Sequence, residues 1–268
     1  MLVWAAAGSA VAAQAPSDPV AGPARGTAAA PSFVDDLGLG TRLVLHGLSA
    51  PLRWTSDQWM TLPAALVGLG AISGYDDDVA RLARQSQGAG ADAYFDAVEP
   101  LGLEYSFVVL AGMYAGGWAL DRPGLRRTAV EAGAASAVAF GVVVPVLKLA
   151  FGRHRPEDRL GPRELDPFSG HYSFPSGHAT QAFALASVIA AESPHPEVDV
   201  LAYGLAASVG AARIYHDIHF LTDVLAGAAL GTVVGHAMVR HARSLTGLAP
   251  AVGVMSDGRP AVGLSVRF

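Results

Sequence analysis

The chain has 268 residues, of which 51% are hydrophobic and 15% charged, and its mean hydropathy is +0.35. This composition is typical of a membrane protein or of an unusually apolar helical bundle rather than of an ordinary soluble domain. The formal net charge of −5 argues against nucleic acid as a partner, and the absence of cysteine excludes disulfide bonds.

The amino-terminal part of the chain is predicted to be processed or flexible. Residues 1–13 form a short apolar run that closes on small residues, as the later part of a secretory signal does, although the basic segment that normally precedes it is missing. Residues 14–36 are rich in Ala, Pro, Gly and Ser, which predicts a flexible linker. Residues 37–56 mix basic with apolar side chains, which predicts an amphipathic helix at a membrane interface.

Apolar runs separated by loops rich in Gly, Pro and charge predict an all-α domain over residues 57–243. Six helices are expected, near residues 57–74, 101–120, 128–151, 176–192, 199–214 and 220–240. The acidic triplet that begins at Asp76 is interpreted as the start of a solvated helix or lid rather than as a metal site. Residues 244–268 alternate apolar with small or polar residues around Asp257 and Gly258, which predicts a β-hairpin.

Cations and a helix start supply what a phosphate-binding site needs. Lys148 and Arg155 are seven residues apart, about two helical turns, so a helix would place both on one face, and Arg213 adds a third positive charge. Ser176 and Gly177 open a predicted helix, and the unpaired N–H groups of a helix start suit a phosphate. These residues together predict a clamp for a phosphate ester.

Two histidines remain for the chemistry, His178 and His219. His219 and Asp223 are four residues apart, so on a helix the carboxylate can orient the imidazole and stabilise its positive charge. Taken singly, such residues often have structural roles, because Arg and Lys snorkel at the ends of membrane helices and a histidine can cap a helix. The function is therefore predicted from the whole set.

In this order and at these separations, the residues resemble the three-part signature of the type 2 phosphatidic acid phosphatase (PAP2) superfamily, which also contains bacterial acid phosphatases and vanadium haloperoxidases. The resemblance covers about residues 100–240 and implies a PAP2-type bundle, and the six predicted helices and the apolar composition favour a six-helix bundle embedded in a membrane. It also implies a set of phosphate ligands, namely Lys148, Arg155, Ser176, Gly177 and Arg213.

The resemblance implies three catalytic roles. His219 would attack phosphorus to form a phosphohistidine, Asp223 would orient His219, and His178 would protonate the leaving oxygen. Ala212 departs from the pattern, since the family usually has Ser at this position, and we expect this difference to be peripheral. The mechanism requires neither a cofactor nor a metal. Four other histidines lie in or near the connecting segments, and their spacing does not favour metal binding; these are His154, His171, His195 and His216.

The predicted function is a metal-independent phosphatase that hydrolyses a phosphomonoester or diphosphate, with a lipid substrate such as phosphatidate or an isoprenyl diphosphate favoured. A vanadate-dependent haloperoxidase is an alternative, because vanadate mimics phosphate in the same clamp. A soluble periplasmic acid phosphatase is a second alternative, and a catalytically silent membrane scaffold or transporter is a third. The oligomeric state is left open.

Charge and topology predict where the site faces. Six antiparallel helices place loops 152–175 and 215–219 at one end, whereas residues 121–127 and 240–243 bring clustered arginines to the other. The positive-inside rule then predicts an inner-membrane protein with a periplasm-facing active site. A cleaved signal followed by six spans would reverse this orientation. Three alternatives avoid the reversal: residues 37–54 cross the membrane as well, the signal is retained as an anchor, or the bundle is periplasmic and does not span the membrane.

Overall fold

The computed structural model describes residues 31–246, 248–254 and 260–266, and the signal-like segment and most of the predicted linker lie outside them. In this part of the chain ten α helices are followed by a β-hairpin. The helices are α1 Phe33–Leu48, α2 Ser56–Ile72, α3 Asp76–Gln85, α4 Ala89–Val98, α5 Glu104–Ala119, α6 Pro123–Val138, α7 Val144–Phe151, α8 Gly177–Glu192, α9 Pro196–Tyr215 and α10 Leu221–Thr246.

All six predicted helices are present, so the all-α prediction is confirmed. The third is continuous but contains a π turn over Ala139–Val143 between α6 and α7. Pro145, in the first turn of α7, lacks the backbone N–H that a regular helix would use there, which accounts for the irregular turn. α4 is not among the predicted helices, because its ten residues include Gly90 and form only a weak apolar pattern.

The amphipathic segment forms α1, which begins at Phe33, within the stretch predicted as linker. Part of this helix is buried in the bundle: Leu43 lies in the core, and Asp36 Oδ2 lies 2.5 Å from Arg126 Nη2 of α6. The guanidinium of Arg126 also stacks 3.8 Å from the ring centre of Trp118. α1 is therefore fixed to α6 by a buried ion pair as well as by apolar contacts.

α8 is the central helix of the bundle, and α10 packs closely against it. Gly227, Gly231 and Gly235 recur every four residues on α10 and lie on one face. A Cβ on Gly227 or Gly231 would collide with the backbone of α8, and one on Gly235 would collide with Ser187. Only glycine permits this approach, which brings the first turns of α8 and α10 together.

The outer surface of the bundle is unusually apolar. None of the residues of α2 is buried, although the helix contains Trp59, Met60 and Val67. Two described helical runs, Pro123–Phe151 and Leu221–Leu245, are long and apolar enough to cross a bilayer. Buried core helices can meet the same criterion, so the exposed apolar surface is the more informative sign of a membrane environment.

The predicted carboxyl-terminal hairpin is present as β1 Leu248–Val254 and β2 Pro260–Val266, which pair antiparallel from Leu248 opposite Val266 to Val254 opposite Pro260. The turn predicted at Asp257 and Gly258 lies outside the described residues.

Candidate active site

His219 and Asp223 lie together at the junction of α9 and α10. His219 is 3% exposed, and its Nδ1 lies 3.6 Å from Asp223 Oδ2, slightly beyond hydrogen-bond distance. Ser173 joins the pair, because its hydroxyl donates to Asp223 Oδ2 at 2.6 Å and lies 3.4 Å from His219 Nδ1. The backbone N–H of Phe220 donates to the same carboxylate oxygen at 2.9 Å.

Burial determines the charge of His219. Removal from water lowers the pKa of the imidazole to about 4, and the nearby Lys148 and Arg213 act in the same direction, although Asp223 opposes them. The ring is therefore neutral near pH 7. Because Nδ1 faces Asp223, Nε2 is the ring nitrogen available to an incoming electrophile.

Asp223 is also held from behind by Arg153, a residue that the sequence analysis did not select. Arg153 Nη1 lies 2.5 Å from Asp223 Oδ1, and Nη2 lies 2.8 Å from Asp76 Oδ2. Asp76 in turn accepts hydrogen bonds from the backbone and hydroxyl of Thr222 at 2.9 and 2.6 Å. The acidic triplet does begin a helix as predicted, but Asp76 itself is fully buried rather than solvated.

The predicted cations approach this pair from three elements. Lys148 lies near enough to His219 and His178 for its charge to act on both, and its ammonium group donates to the carbonyl oxygen of Tyr172. Arg155 lies in the loop beyond Phe151, the last residue of α7, so the prediction that Lys148 and Arg155 share one helical face is wrong. Arg155 acts electrostatically on Lys148 and keeps its guanidinium partly exposed, 3.2 Å from Glu157 Oε1.

Arg213 lies on the last turn of α9 and is almost fully buried. Its Nη1 forms an ion pair with Glu99 Oε1, and within the described residues its Nε has no hydrogen-bond partner. The other oxygen of Glu99 lies 3.2 Å from His216 Nε2. Sequence reasoning missed Glu99, which is 114 residues away along the chain and is the direct counter-ion of a predicted phosphate ligand.

Ser176 and Gly177 begin α8 as predicted. The backbone N–H of Ser176 donates to the carbonyl oxygen of Asp223 at 2.9 Å, so the start of α8 is tied to the first turn of α10. The Ser176 hydroxyl caps α8 through a long contact of 3.5 Å to Ala179 N. His178 follows in the first turn and packs against Gly102, where an added Cβ would lie 3.0 Å from His178 Cβ.

The predicted site residues therefore form one region at one end of the bundle. Ala212, where the family usually has Ser, is fully buried on α9. Among the described residues, one group could hold a metal ion: His154, Asp166 and His171 have ligand atoms within 4.8 Å of one another. The sequence predicted no metal ligands there, because the three residues are not closely spaced along the chain.

Comparison with known proteins agrees with this geometry. Residues 130–245 match the family model described as the PAP2 superfamily, which confirms the resemblance, and this part of the chain is a PAP2 superfamily domain. A solved transmembrane PAP2-type phosphatidylglycerolphosphate phosphatase from Bacillus subtilis has a TM-score of 0.51 and 19% identity, over 78% of this chain and 96% of that one. This likeness shows a shared fold.

Curated relatives have similar but partial matches. A lipid A 1-phosphatase of Porphyromonas gingivalis is 37% identical over 98 residues, which are 36% of this chain and 20% of that protein. A decaprenylphosphoryl-5-phosphoribose phosphatase of Mycobacterium tuberculosis is 35% identical over 117 residues, which are 44% of this chain and 63% of that one. The matched segments thus cover 20% of the length of the first relative and 63% of the length of the second.

Proposed function

We propose that this protein is a phosphoric ester hydrolase that removes phosphate from a lipid phosphomonoester or diphosphate through a phosphohistidine at His219. The observation that carries the proposal is the placement of His219, which is buried 3.6 Å from Asp223 and lies near enough to Lys148 and Arg213 for their charges to act on it. A neutral imidazole has the free electron pair that nucleophilic attack requires.

The first step joins His219 to the phosphate. Lys148, Arg155 and Arg213 would neutralise the phosphate oxygens, and the N–H groups at the start of α8 would add hydrogen bonds. Nε2 of His219 forms a bond to phosphorus while the bond to the leaving oxygen breaks. His178 donates a proton to that oxygen, which departs as an alcohol or as the shortened phosphate ester.

The second step regenerates the enzyme. Water attacks phosphorus, the phosphorus–nitrogen bond breaks, and His178 accepts a proton from the attacking water, which replaces the proton that it donated in the first step. Asp223 stabilises the positive charge that His219 carries while phosphorylated. Each role belongs to a residue of this chain, so the reaction requires no metal ion at the phosphate.

Two observations support a lipid substrate. The outer surface exposes large apolar side chains on α2 and on α5, where Phe107, Val108 and Trp118 are at least 46% exposed. Such a surface suits contact with acyl chains. The relatives described above are named for lipid A and for a decaprenyl phosphosugar.

We also propose that the protein lies in an inner membrane with the site facing the periplasm, on the basis of the arginines at the opposite end. Arg126 and Arg127 are paired there with Asp36 and Glu131, so the orientation rests on Arg122 and Arg240. The chain has no cysteine, which makes single-cysteine labelling direct. Arg163→Cys should react with an impermeant thiol reagent in intact cells and Arg240→Cys only after lysis; the reverse pattern would refute the orientation.

Phosphate release by the purified protein in detergent and EDTA tests the activity. We expect release from phosphatidate or an isoprenyl diphosphate to exceed release from p-nitrophenyl phosphate, and vanadate to inhibit it. A preference for the soluble ester would instead support a periplasmic acid phosphatase. If no phosphate is released from any of the three substrates but halide is oxidised in the presence of vanadate and peroxide, the haloperoxidase alternative would be supported. If neither phosphate release nor halide oxidation is detected, a silent scaffold would be supported.

A further inference from the structure

Two histidines and a carboxylate converge on the long loop between α7 and α8. The ring centres of His154 and His171 are 3.6 Å apart, and one ligand atom each from these rings and from Asp166 lie within 4.8 Å of one another. None of the three has a role in the proposed reaction. A second carboxylate, Asp158, places its Oδ2 3.3 Å from His154 Nδ1.

Backbone hydrogen bonds build this arrangement. The two sides of the loop pair as a short antiparallel bridge, in which His154 N donates to Glu164 O at 3.2 Å and Asp166 N donates to Gly152 O at 2.9 Å. Gly152 has a φ of +53°, and an added Cβ would overlap the carbonyl group of Asp166. The positions of His154 and Asp166 are therefore fixed by the main chain rather than by chance contact of side chains.

The third member of the group comes from the far end of the loop. Ser169 N donates to Asp166 O at 3.2 Å, and His171 N lies 3.4 Å from Ser169 Oγ. These contacts return the chain toward His154, so the loop is closed at both its beginning and its end. Within residues 152–176 the only helical element is the short turn Pro156–Asp158, so side-chain ligation would add order where secondary structure is sparse.

We propose that His154, Asp166 and His171 bind one divalent transition-metal ion, zinc, which clips this loop together. Two imidazoles and a carboxylate form a donor set that suits zinc, and a water or Asp158 would supply the fourth ligand. In a tetrahedral zinc site with bonds of about 2.0 Å the ligand atoms lie about 3.3 Å apart, so the three side chains would move closer together than their present separations of up to 4.8 Å.

The ion would act at a distance from the chemistry. Arg155 follows His154 directly, and the carbonyl of Tyr172, which accepts from Lys148, follows His171 directly. A clip between His154 and His171 would therefore hold two of the proposed phosphate ligands in place. Zinc binding itself does not depend on the proposed reaction, so the two proposals can fail separately.

The test measures zinc directly on the full chain, purified in detergent through a tag without histidine. After treatment with a chelator and dialysis, zinc is added back and counted by mass spectrometry. Wild type should retain about one zinc per chain, and His154→Ala and His171→Ala should retain none. His195→Ala is the matched control, because His195 is an exposed histidine outside the cluster, and it should bind as wild type does.

Two further measurements keep the outcome independent of misfolding. Asp166→Asn removes one donor from an exposed position, and it should weaken zinc affinity by more than about tenfold. Zinc should also slow tryptic cleavage after Arg159 and Arg163 in wild type but not in His154→Ala. Zinc content in wild type no greater than in the His154→Ala/His171→Ala double variant would overturn the proposal, as would unchanged affinity in Asp166→Asn.

Discussion

Arg153 and Asp223 form a buried ion pair behind the proposed nucleophile, with Arg153 Nη1 2.5 Å from Asp223 Oδ1. The other oxygen of Asp223 faces His219 and accepts hydrogen bonds from Ser173 and from the backbone of Phe220. Both oxygens of the carboxylate are thus held in place. Arg153 is itself held by Asp76, so α3, the long loop between α7 and α8, and α10 meet at one guanidinium group.

Arg153→Gln should destabilise the protein strongly, because it leaves the carboxylates of Asp76 and Asp223 buried without their counter-ion. Loss of one partner of a buried pair typically costs about 3–5 kcal/mol of unfolding free energy. Thermal and denaturant unfolding in detergent would measure the effect. Arg159→Gln is the control, since Arg159 is 59% exposed in its pair with Asp217 and should contribute less than about 1 kcal/mol. Equal losses in the two variants would contradict the predicted role of Arg153.

Glu99→Gln should increase affinity for anionic ligands, because phosphate and Glu99 compete for Arg213. The ion pair joins a buried guanidinium to a half-buried carboxylate. We expect KM and the inhibition constant for vanadate to fall about fivefold, which corresponds to an ion-pair free energy of ~1 kcal/mol. Steady-state kinetics with vanadate inhibition measures both. Glu157→Gln, which removes the exposed partner of Arg155, should change KM by less than about twofold. A rise in KM for Glu99→Gln would show that Glu99 positions Arg213 instead of competing for it.

The lowered pKa of His219 predicts activity that persists in acid. A histidine with a pKa of about 4 stays neutral at pH 5 and 6, where an ordinary histidine would already be protonated, and it loses its nucleophilic electron pair only as the pH falls through 4. The profile of kcat/KM against pH, corrected for the ionisation of the substrate phosphate near pH 6, would show this loss of activity at low pH. An acid limb with a midpoint near 6.5 would contradict the buried, neutral state of His219.

The glycine face of α10 predicts a sharp contrast between two Gly→Ala substitutions. Gly231→Ala should lower the free energy of unfolding by about 1–3 kcal/mol, because its methyl group meets the backbone of α8. In α2, no described atom beyond the local helix lies within 4 Å of a Cβ built on Gly68, so Gly68→Ala should be neutral or stabilising by up to about 1 kcal/mol. Unfolding midpoints in detergent would compare them, and similar effects would show that α8 and α10 are not closely packed.

The sequence was sufficient for features that depend on local spacing. Apolar runs predicted the six principal helices, and the four-residue separation of His219 and Asp223 predicted that the two side chains would lie together. They do so although His219 precedes Leu221, the first residue of α10, and therefore does not share a helical face with Asp223. The family signature then predicted which cations would approach them. The first and last residues of the helices were harder to predict. In α1, for example, the capping residue Ser32 lies within a stretch whose composition favours a linker.

Features that depend on tertiary contact were not predictable. Arg153 looked like one more arginine beside Arg155, and its partners Asp76 and Asp223 are 77 and 70 residues away. The glycine repeat of α10 was visible in the sequence, but its meaning depends on which helix packs against it. The same holds for His154 and His171, which are brought together by backbone hydrogen bonds at both ends of the loop.

The central claim is that His219 carries the phosphoryl group, and trapping the phosphoenzyme tests it most directly. Wild-type protein would be quenched during turnover of a radiolabelled substrate, kept under alkaline conditions and digested, and the labelled peptide would be sequenced by mass spectrometry. We predict an acid-labile, alkali-stable phosphate on His219 that is absent from His219→Ala and still present in the control His195→Ala. Phosphate release by His219→Ala at the wild-type rate, or a label on another residue, would contradict the proposed mechanism.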